Sequence, residues 1–385
     1  MPLLKFILRN VLRHKVRAGL TVLGLAVALV AFGILSTVVG AWYAAADKAA
    51  PTRLVTRNGV SLAFPLPLAD RDKIGAVDGV RSVSHATWFG GVYQNPKNFF
   101  AQFAIEPTTY LAMYPDFLFK EEELRAFLRD RKGAIIGRKL ANTYGLKVGD
   151  SLPLHGTVFP GDWEFTVRAI YDGAKANTDV SQMLFHWQYL NETMKSRAPG
   201  HADQIGVFLV DIYDARRAGE ISRAIDAGFA NSLAETLTET EKSFQLSFVA
   251  MADAIIMAIR LVSFVVIAIV LAVVGNTMAM IARERLAEYA TLKTLGFGPG
   301  FVSALVLGES LAVAAAGGLV GVAATFPVAR VFAAQTGTLF STFEVSAATV
   351  EMQVGCAVLV GLGAALLPAR RAASVRIVDG LRAIG

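Results

Sequence analysis

Four long apolar runs break an otherwise mixed pattern of polar and apolar positions. Arg17 and Asp47 bracket 29 uncharged residues, and Arg260 and Arg283 bracket 22. Only Glu309 interrupts the stretch from Lys293 to Arg330, and Glu351 and Arg370 enclose 18 more uncharged residues. At about 1.5 Å of rise per residue, each run can cross a hydrocarbon core of about 30 Å as a helix. The first run is too long for a signal-peptide core of about 7–15 residues. It also ends in Trp42-Tyr43, an aromatic pair suited to a membrane interface. The pattern therefore predicts a retained anchor followed by three further spans.

The chain between the first two runs reads differently. PTRLVTRNGVSLAFPLPL predicts strand, turn and loop, and RDKIGAVDGVRSVSHATWFGGVY predicts a short helix, a turn and a strand. KEEELRAFLRDRKG reads as a helix ending at Gly133, and a second helix is expected at 137–144. Three short strands separated by Gly156, Pro160-Gly161 and Gly173 are expected next, then a strand in QIGVFLVDI and a helix over 214–229. From Leu233 to Arg260 the pattern reads as one unbroken helical stalk leading into the second span.

The expected fold is a membrane protein: four transmembrane α-helices with an extracytoplasmic α+β domain inserted between helices 1 and 2. The expected order is a cytoplasmic amphipathic N-terminal helix (1–17), helix 1 (18–46) and the external domain (47–240). A stalk and helix 2 (241–282), a cytoplasmic helix (283–298) and helix 3 (299–333) follow. An external connection (334–349), helix 4 (350–369) and a cytoplasmic tail (370–385) complete it. In the first segment Lys5, Arg9 and Arg13 form a basic stripe opposite apolar positions, as in a helix lying on a membrane surface.

Composition agrees with this division. Only 18% of the 385 residues are charged, against about 25% in soluble domains. Basic residues collect before the first run, between the second and third (Arg283, Arg285, Lys293), and after the fourth (Arg370, Arg371, Arg376, Arg382). The positive-inside rule puts these segments and both termini in the cytoplasm of a multi-pass membrane protein. The net charge of +6 then reflects topology and contact with anionic membrane lipids. No basic–aromatic array points to nucleic acid. The one cysteine, Cys356, lies inside the fourth run and reads as a packing residue.

Catalytic signatures are missing from the sequence. It contains no phosphate-binding G-x-x-x-x-G-K-[S/T] loop, no zinc-type histidine spacing and no G-x-S-x-G turn. No catalytic residue, metal site or cofactor is expected in this chain. Glu309 is the exception to the apolar runs: a carboxylate in a span is costly and is a functional-site candidate by default. It reads equally as a helix-register or coupling contact in the bundle, or as a protonated or hydrogen-bonded structural carboxylate. Gly317 and Gly321 form a G-x-x-x-G pair that permits close helix packing, with a neighbour in this chain or in another copy.

Between the second and third runs lies MIARERLAEYATLKTLGFG. Glu284, Glu288 and Thr291 share one helical face, and the helix is expected to end at Gly296, with Pro299 preventing continuation. Pattern alone leaves a solvated connector and a rigid lever equally open. The stretch ARERLAEYATLKTLGFGPGFVSALVLGESLAVAAAGGLVGV resembles the signature of the FtsX/MacB-type permeases of ABC transporters. LRNVLRHKVRAGLTVLGLAVA is similar to that family's opening, and LLPARRAASVRIVDGLRA to its closing segment. GAIIGRKLANTYGLKVGDSLPL and FTVRAIYDG resemble the β-rich part of its MacB-like periplasmic core domain. Phe297-Gly298-Pro299-Gly300 and Ile377-Val378-Asp379-Gly380 depart from the usual family residues.

The resemblance implies a permease subunit working by mechanotransmission. A separate cytoplasmic ABC ATPase subunit would bind ATP and Mg, and two copies of the permease would pair. A periplasmic adaptor protein could join. Arg283, Glu284, Arg285, Glu288, Tyr289, Lys293 and Leu295 would couple to the ATPase, and substrate would be exported or extracted outside the membrane. Two other readings are an FtsX-like regulator of cell-wall hydrolases and a stand-alone membrane sensor with an external ligand-binding domain.

Overall fold

The computed structural model describes residues 7, 9, 10, 13, 15–47, 49–175, 178–336, 340 and 343–375. Much of the expected N-terminal segment, including Lys5, lies outside the described residues, as do 337–339, 341 and 342 of the external connection and 376–385 of the tail. The chain forms two compact units. One comprises residues 1–40, 252–335 and 343–385, and the other 41–251 and 336–342.

The first unit is helical. Lys15–Asp47, Asp253–Glu284, Pro299–Thr336 and Ala347–Ser374 are each long and apolar enough to cross a membrane. Small residues set their spacing. A Cβ on Gly317 would stand 2.9 Å from Leu25 Cδ2, and one on Gly321 would stand 2.9 Å from Leu29 Cβ and 3.1 Å from the Ala26 carbonyl oxygen. The G-x-x-x-G pair of the third span thus packs on the first span of the same chain. On the fourth span, Gly361 faces Ala314 of the third in the same way, and Ser310 Oγ donates to the Gly361 carbonyl at 2.7 Å.

One polar knot ties three spans. Gln353, fully buried, donates from Nε2 to the Leu29 carbonyl at 2.7 Å and to Thr325 Oγ1 at 2.8 Å. Gly33 leaves room for it, since a Cβ there would fall 2.3 Å from Gln353 Nε2. An amide between helices in an apolar medium has no water to fall back on, so these bonds specify the packing.

The second unit is built on one mixed sheet. Its principal strands are β1 (Arg53–Asn58), β2 (Val80–Trp88), β3 (Gln102–Ile105), β4 (Gly133–Gly137), β5 (Ser151–Gly156), β6 (Gly161–Gly173), β7 (Met183–His186), β8 (Val207–Ile212) and β9 (Thr236–Thr240). They run in the order β9-β1-β8-β2-β3-β7-β4-β6-β5. The pairs β3/β7 and β4/β6 are parallel and the others antiparallel. Strands such as GAIIG and MLFH are buried at every position because both faces are covered. Phe89, Trp163, Phe165, Phe185 and Phe208 fill one side, and Ile105, Tyr110, Phe127, Ile135 and Tyr171 the other.

Two expectations need correction here. The three short strands after Gly149 are two, β5 and the 13-residue β6, joined across the turn before Gly161, whose φ of +123 suits glycine. The stretch from Leu233 to Arg260 is not one helix. Thr236–Thr240 is an edge strand on β1, Glu241–Met251 is a helix, and a new helix starts at Asp253. The alternating β-branched residues of TLTET are the local reason for the strand.

Where β1 begins and β9 ends, the sheet is pinned by a nearly buried ion pair, Arg53–Glu241 at 2.8 Å. Arg53 also donates to the Met113 carbonyl at 2.7 Å. Glu241 accepts from Tyr114 Oη at 2.9 Å and from the Ala50 amide at 3.0 Å. Two pairs beyond Leu54–Thr240, Thr56 and Thr238 share a hydroxyl hydrogen bond at 2.9 Å.

His85, on β2, is buried edge-to-face on Trp187 at 4.9 Å, and neither ring nitrogen has a hydrogen-bond partner among the described residues. Burial, aided by the Arg71 charge and opposed by Glu106, pushes its pKa down to about 4. Unfolding returns it to its ordinary value of 6.5, so the unfolded chain binds the extra proton between these limits. Stability is therefore present above pH 6.5 and falls as pH drops toward 4. A loss of up to about 3 kcal/mol is expected across that window. Resistance to proteolysis of the sheet in the intact chain at pH 7 and pH 4.5 measures it, and His85→Leu should flatten the difference.

Candidate functional site at the loop between the second and third spans

The loop helix, Leu286–Thr294, follows the second span almost without a break. Arg285 alone leaves helical geometry, at φ −108 and ψ 17, while its carbonyl still accepts from the Tyr289 amide at 3.0 Å. The loop helix closes at Gly296, whose φ of +93 suits a residue without Cβ, and Pro299 opens the third span.

Arg285 sits at the bend and is 8% exposed. Its Nη1 donates to Glu309 Oε1 at 2.5 Å, and its Nε donates to Glu288 Oε2 at 2.8 Å. Glu309, 4% exposed, also accepts from Asn10 Nδ2 at 2.9 Å. Tyr289 lies beneath the guanidinium, 5.5 Å from ring centroid to Cζ, and is fully buried. Burial raises the Tyr289 pKa to about 12 against the opposing charge of Arg285. Burial also acts to raise the Glu288 pKa, but its bonds to Arg285 and Arg13 outweigh this and hold it below the usual carboxylate range.

The N-terminal segment joins the same network. Arg13 Nη1 donates to Glu288 Oε1 at 2.5 Å, and Arg17 binds both Glu284 oxygens, at 2.7 and 3.0 Å. Part of the basic stripe expected to lie on lipid is thus turned onto the carboxylates of the loop. At the other end of the loop helix, Lys293 Nζ donates to the Ala373 and Val375 carbonyls at 2.6 and 2.8 Å. These belong to the end of the fourth span, where a helix leaves carbonyls unpaired and favours a cation.

The seven loop residues therefore divide. Arg285, Glu288 and Glu309 come together, with Glu284 beside them on Arg17. Tyr289 is inside the bundle and offers no outward face, and Lys293 is spent on the fourth span. Arg283 and Leu295 point outward, Leu295 at 71% exposure. Phe297, noted in the sequence only as a departure from the family residues, is 43% exposed and stacks on Phe301 at 4.6 Å. Its signal was an aromatic residue standing where the family has small and basic ones. Asn10 carried no signal, since its partner is 299 positions away.

The chain thus combines an α+β unit, four helices long and apolar enough to cross a membrane, and a short loop helix clamped to a buried glutamate of the third. The family model for the MacB-like periplasmic core domain matches residues 18–227, and that for the FtsX-like permease C-terminal matches residues 260–377. The chain belongs to the MacB/FtsX-like ABC transporter permease family. It is 26% identical over 210 residues to an uncharacterized ABC transporter permease protein of Mycobacterium tuberculosis. That alignment takes in 52% of this chain but only 22% of the relative's length. Two solved structures are similar to it. The extracellular domain of the noncanonic ABC-type transporter YknZ from Gram-positive bacteria is 12% identical and aligns over 49% of this chain and 100% of that one, with a TM-score of 0.35. The periplasmic region of MacB from Actinobacillus actinomycetemcomitans is 10% identical and aligns over 51% and 92%, with a TM-score of 0.34.

Proposed function

We propose that this chain is the membrane subunit through which a separate ATPase drives export or extraction of a substrate. The ATPase, which would hold ATP and Mg, docks on the cytoplasmic loop helix. Two copies of the chain pair around two ATPase subunits, and a periplasmic adaptor is a compatible further partner. The supporting observation is mechanical. The loop helix is fastened to the third span through Arg285–Glu309 at its first bend, to the N-terminal segment through Glu288, with Glu284 of the second span bound to Arg17 beside it, and to the fourth span through Lys293. A push on its outward face is therefore delivered to the bundle as a whole.

In this reading the docking face is Leu295, Phe297 and the exposed Thr291 and Thr294, while the buried charges transmit. Leu295→Ala/Phe297→Ala removes outward apolar surface and leaves the clamp intact. Two truncated anchor residues cost about 2 kcal/mol, roughly thirtyfold in affinity for the ATPase. Co-purification with a candidate ATPase and turnover of the reconstituted pair measure it. Undiminished binding and turnover in the double variant would refute this docking face.

A further inference from the structure

Residues of the second and fourth spans, together with Leu286 of the loop helix, line a crevice of about 430 Å³ that shares none of the clamp residues Arg285, Glu288 and Glu309. Its floor is Gly275 and Ala279 of the second span opposite Gly363 of the fourth. A Cβ on Gly275 would sit 3.8 Å from Ala364, so the helices meet there at near backbone contact. Two cations border the loop end of the crevice, Arg283 from the second span and Arg371 from the fourth. Both are exposed, and among the described residues neither guanidinium is in an ion pair. Arg13, Arg17 and Arg285, in the clamp, all are. Asn276, an amide in an otherwise apolar run, lies on the Arg283 face two turns away and also lines the crevice.

We infer that this crevice binds an anionic glycerophospholipid from the leaflet on the loop side of the membrane. The two arginines would take the phosphodiester and its net negative charge, Asn276 would donate to the ester oxygens, and the glycine-alanine trough would hold the start of an acyl chain. Basic pockets between spans favour anionic headgroups in this way. Charge selects the occupant. A second copy presenting the same face would bring four guanidiniums together, since a twofold interface repeats its own residues. The inference requires only that the spans cross a membrane, and holds whether or not an ATPase docks on the loop.

Native mass spectrometry of the full chain tests it, in micelles carrying equal phosphatidylglycerol and phosphatidylcholine of distinct mass. The wild type should retain phosphatidylglycerol preferentially. Arg283→Gln/Arg371→Gln should reduce that preference roughly tenfold or more, given about fivefold per arginine near an anionic headgroup. Arg370→Gln, on the same helix but outside the crevice, should leave it unchanged. Ala279→Phe, which fills the trough and keeps both arginines, should release retained lipid. An undiminished preference in the double variant overturns the inference, as does an equal loss in Arg370→Gln. A double variant that alters only the proportion of dimer also overturns it, and makes the face a contact between copies.

Discussion

Arg285→Met is expected to lower the melting temperature of the chain by about 10 °C, because it strands a carboxylate. Among the described residues Glu309 would keep only Asn10 as a hydrogen-bond partner, in a site 4% exposed. Breaking a buried ion pair from one side costs about 3–5 kcal/mol, which in a chain of this size is on the order of ten degrees. The companion variant separates stranding from loss of packing. Arg285→Met/Glu309→Leu removes both charges and should recover most of the loss, since replacing both members of a buried pair by apolar groups is often neutral. Tryptophan fluorescence during heating in nanodiscs, at one fixed scan rate, gives the comparison. If Arg285→Met melts as the wild type does, the pair is not the buried contact described.

Gly321→Ala is the second large effect, and its size should depend on what the new methyl meets. At Gly321 the neighbours are Leu29 Cβ and the Ala26 backbone, which cannot rotate away. At Gly317 the nearest is Leu25 Cδ2, which can, with Leu25 Cβ and Cγ slightly farther at 3.1 Å and no backbone atom among the three nearest. At Gly355 of the fourth span nothing stands within 4 Å. The expected order of destabilisation is Gly321→Ala, then Gly317→Ala, with Gly355→Ala neutral. Overpacking of this kind costs about 1–3 kcal/mol. Equal effects at all three sites would contradict the packing of the third span on the first.

The spans were legible because runs of 18 to 29 uncharged residues have few other uses. Glu309 was legible as a candidate for the same reason, since it is a lone charge in such a run. Its partners were not. Arg285 stands in a basic loop where positive charge is expected anyway, and Asn10 is 299 positions distant. Gln353 was missed because a neutral amide barely lowers the hydropathy of its run, although it joins three helices. In the external domain, Thr236–Thr240 was overlooked because its strand partner lies some 180 residues earlier and a helix follows at once. Local propensity was present in TLTET, but the long apolar segment beyond it dominated the reading. Arg53 and Glu241 each look like ordinary surface residues in sequence, and only the pairing of β1 with β9 makes them a buried couple.

That couple stands at a fork. The chain enters the sheet at Arg53 and leaves it after Thr240, and these ends are side by side because Leu54 pairs with Thr240. Tension drawing the entering and leaving chains apart would peel the two strands one residue pair at a time, as a zipper opens, rather than shear all five pairs together. In that loading the outermost fastening bears nearly the whole force. Arg53–Glu241 is that fastening, with Met113, Tyr114 and Ala50 behind it. The consequence is a threshold: displacements of the two connections should pass into the external sheet as rigid motion until this rivet gives, and open its edge only beyond that point.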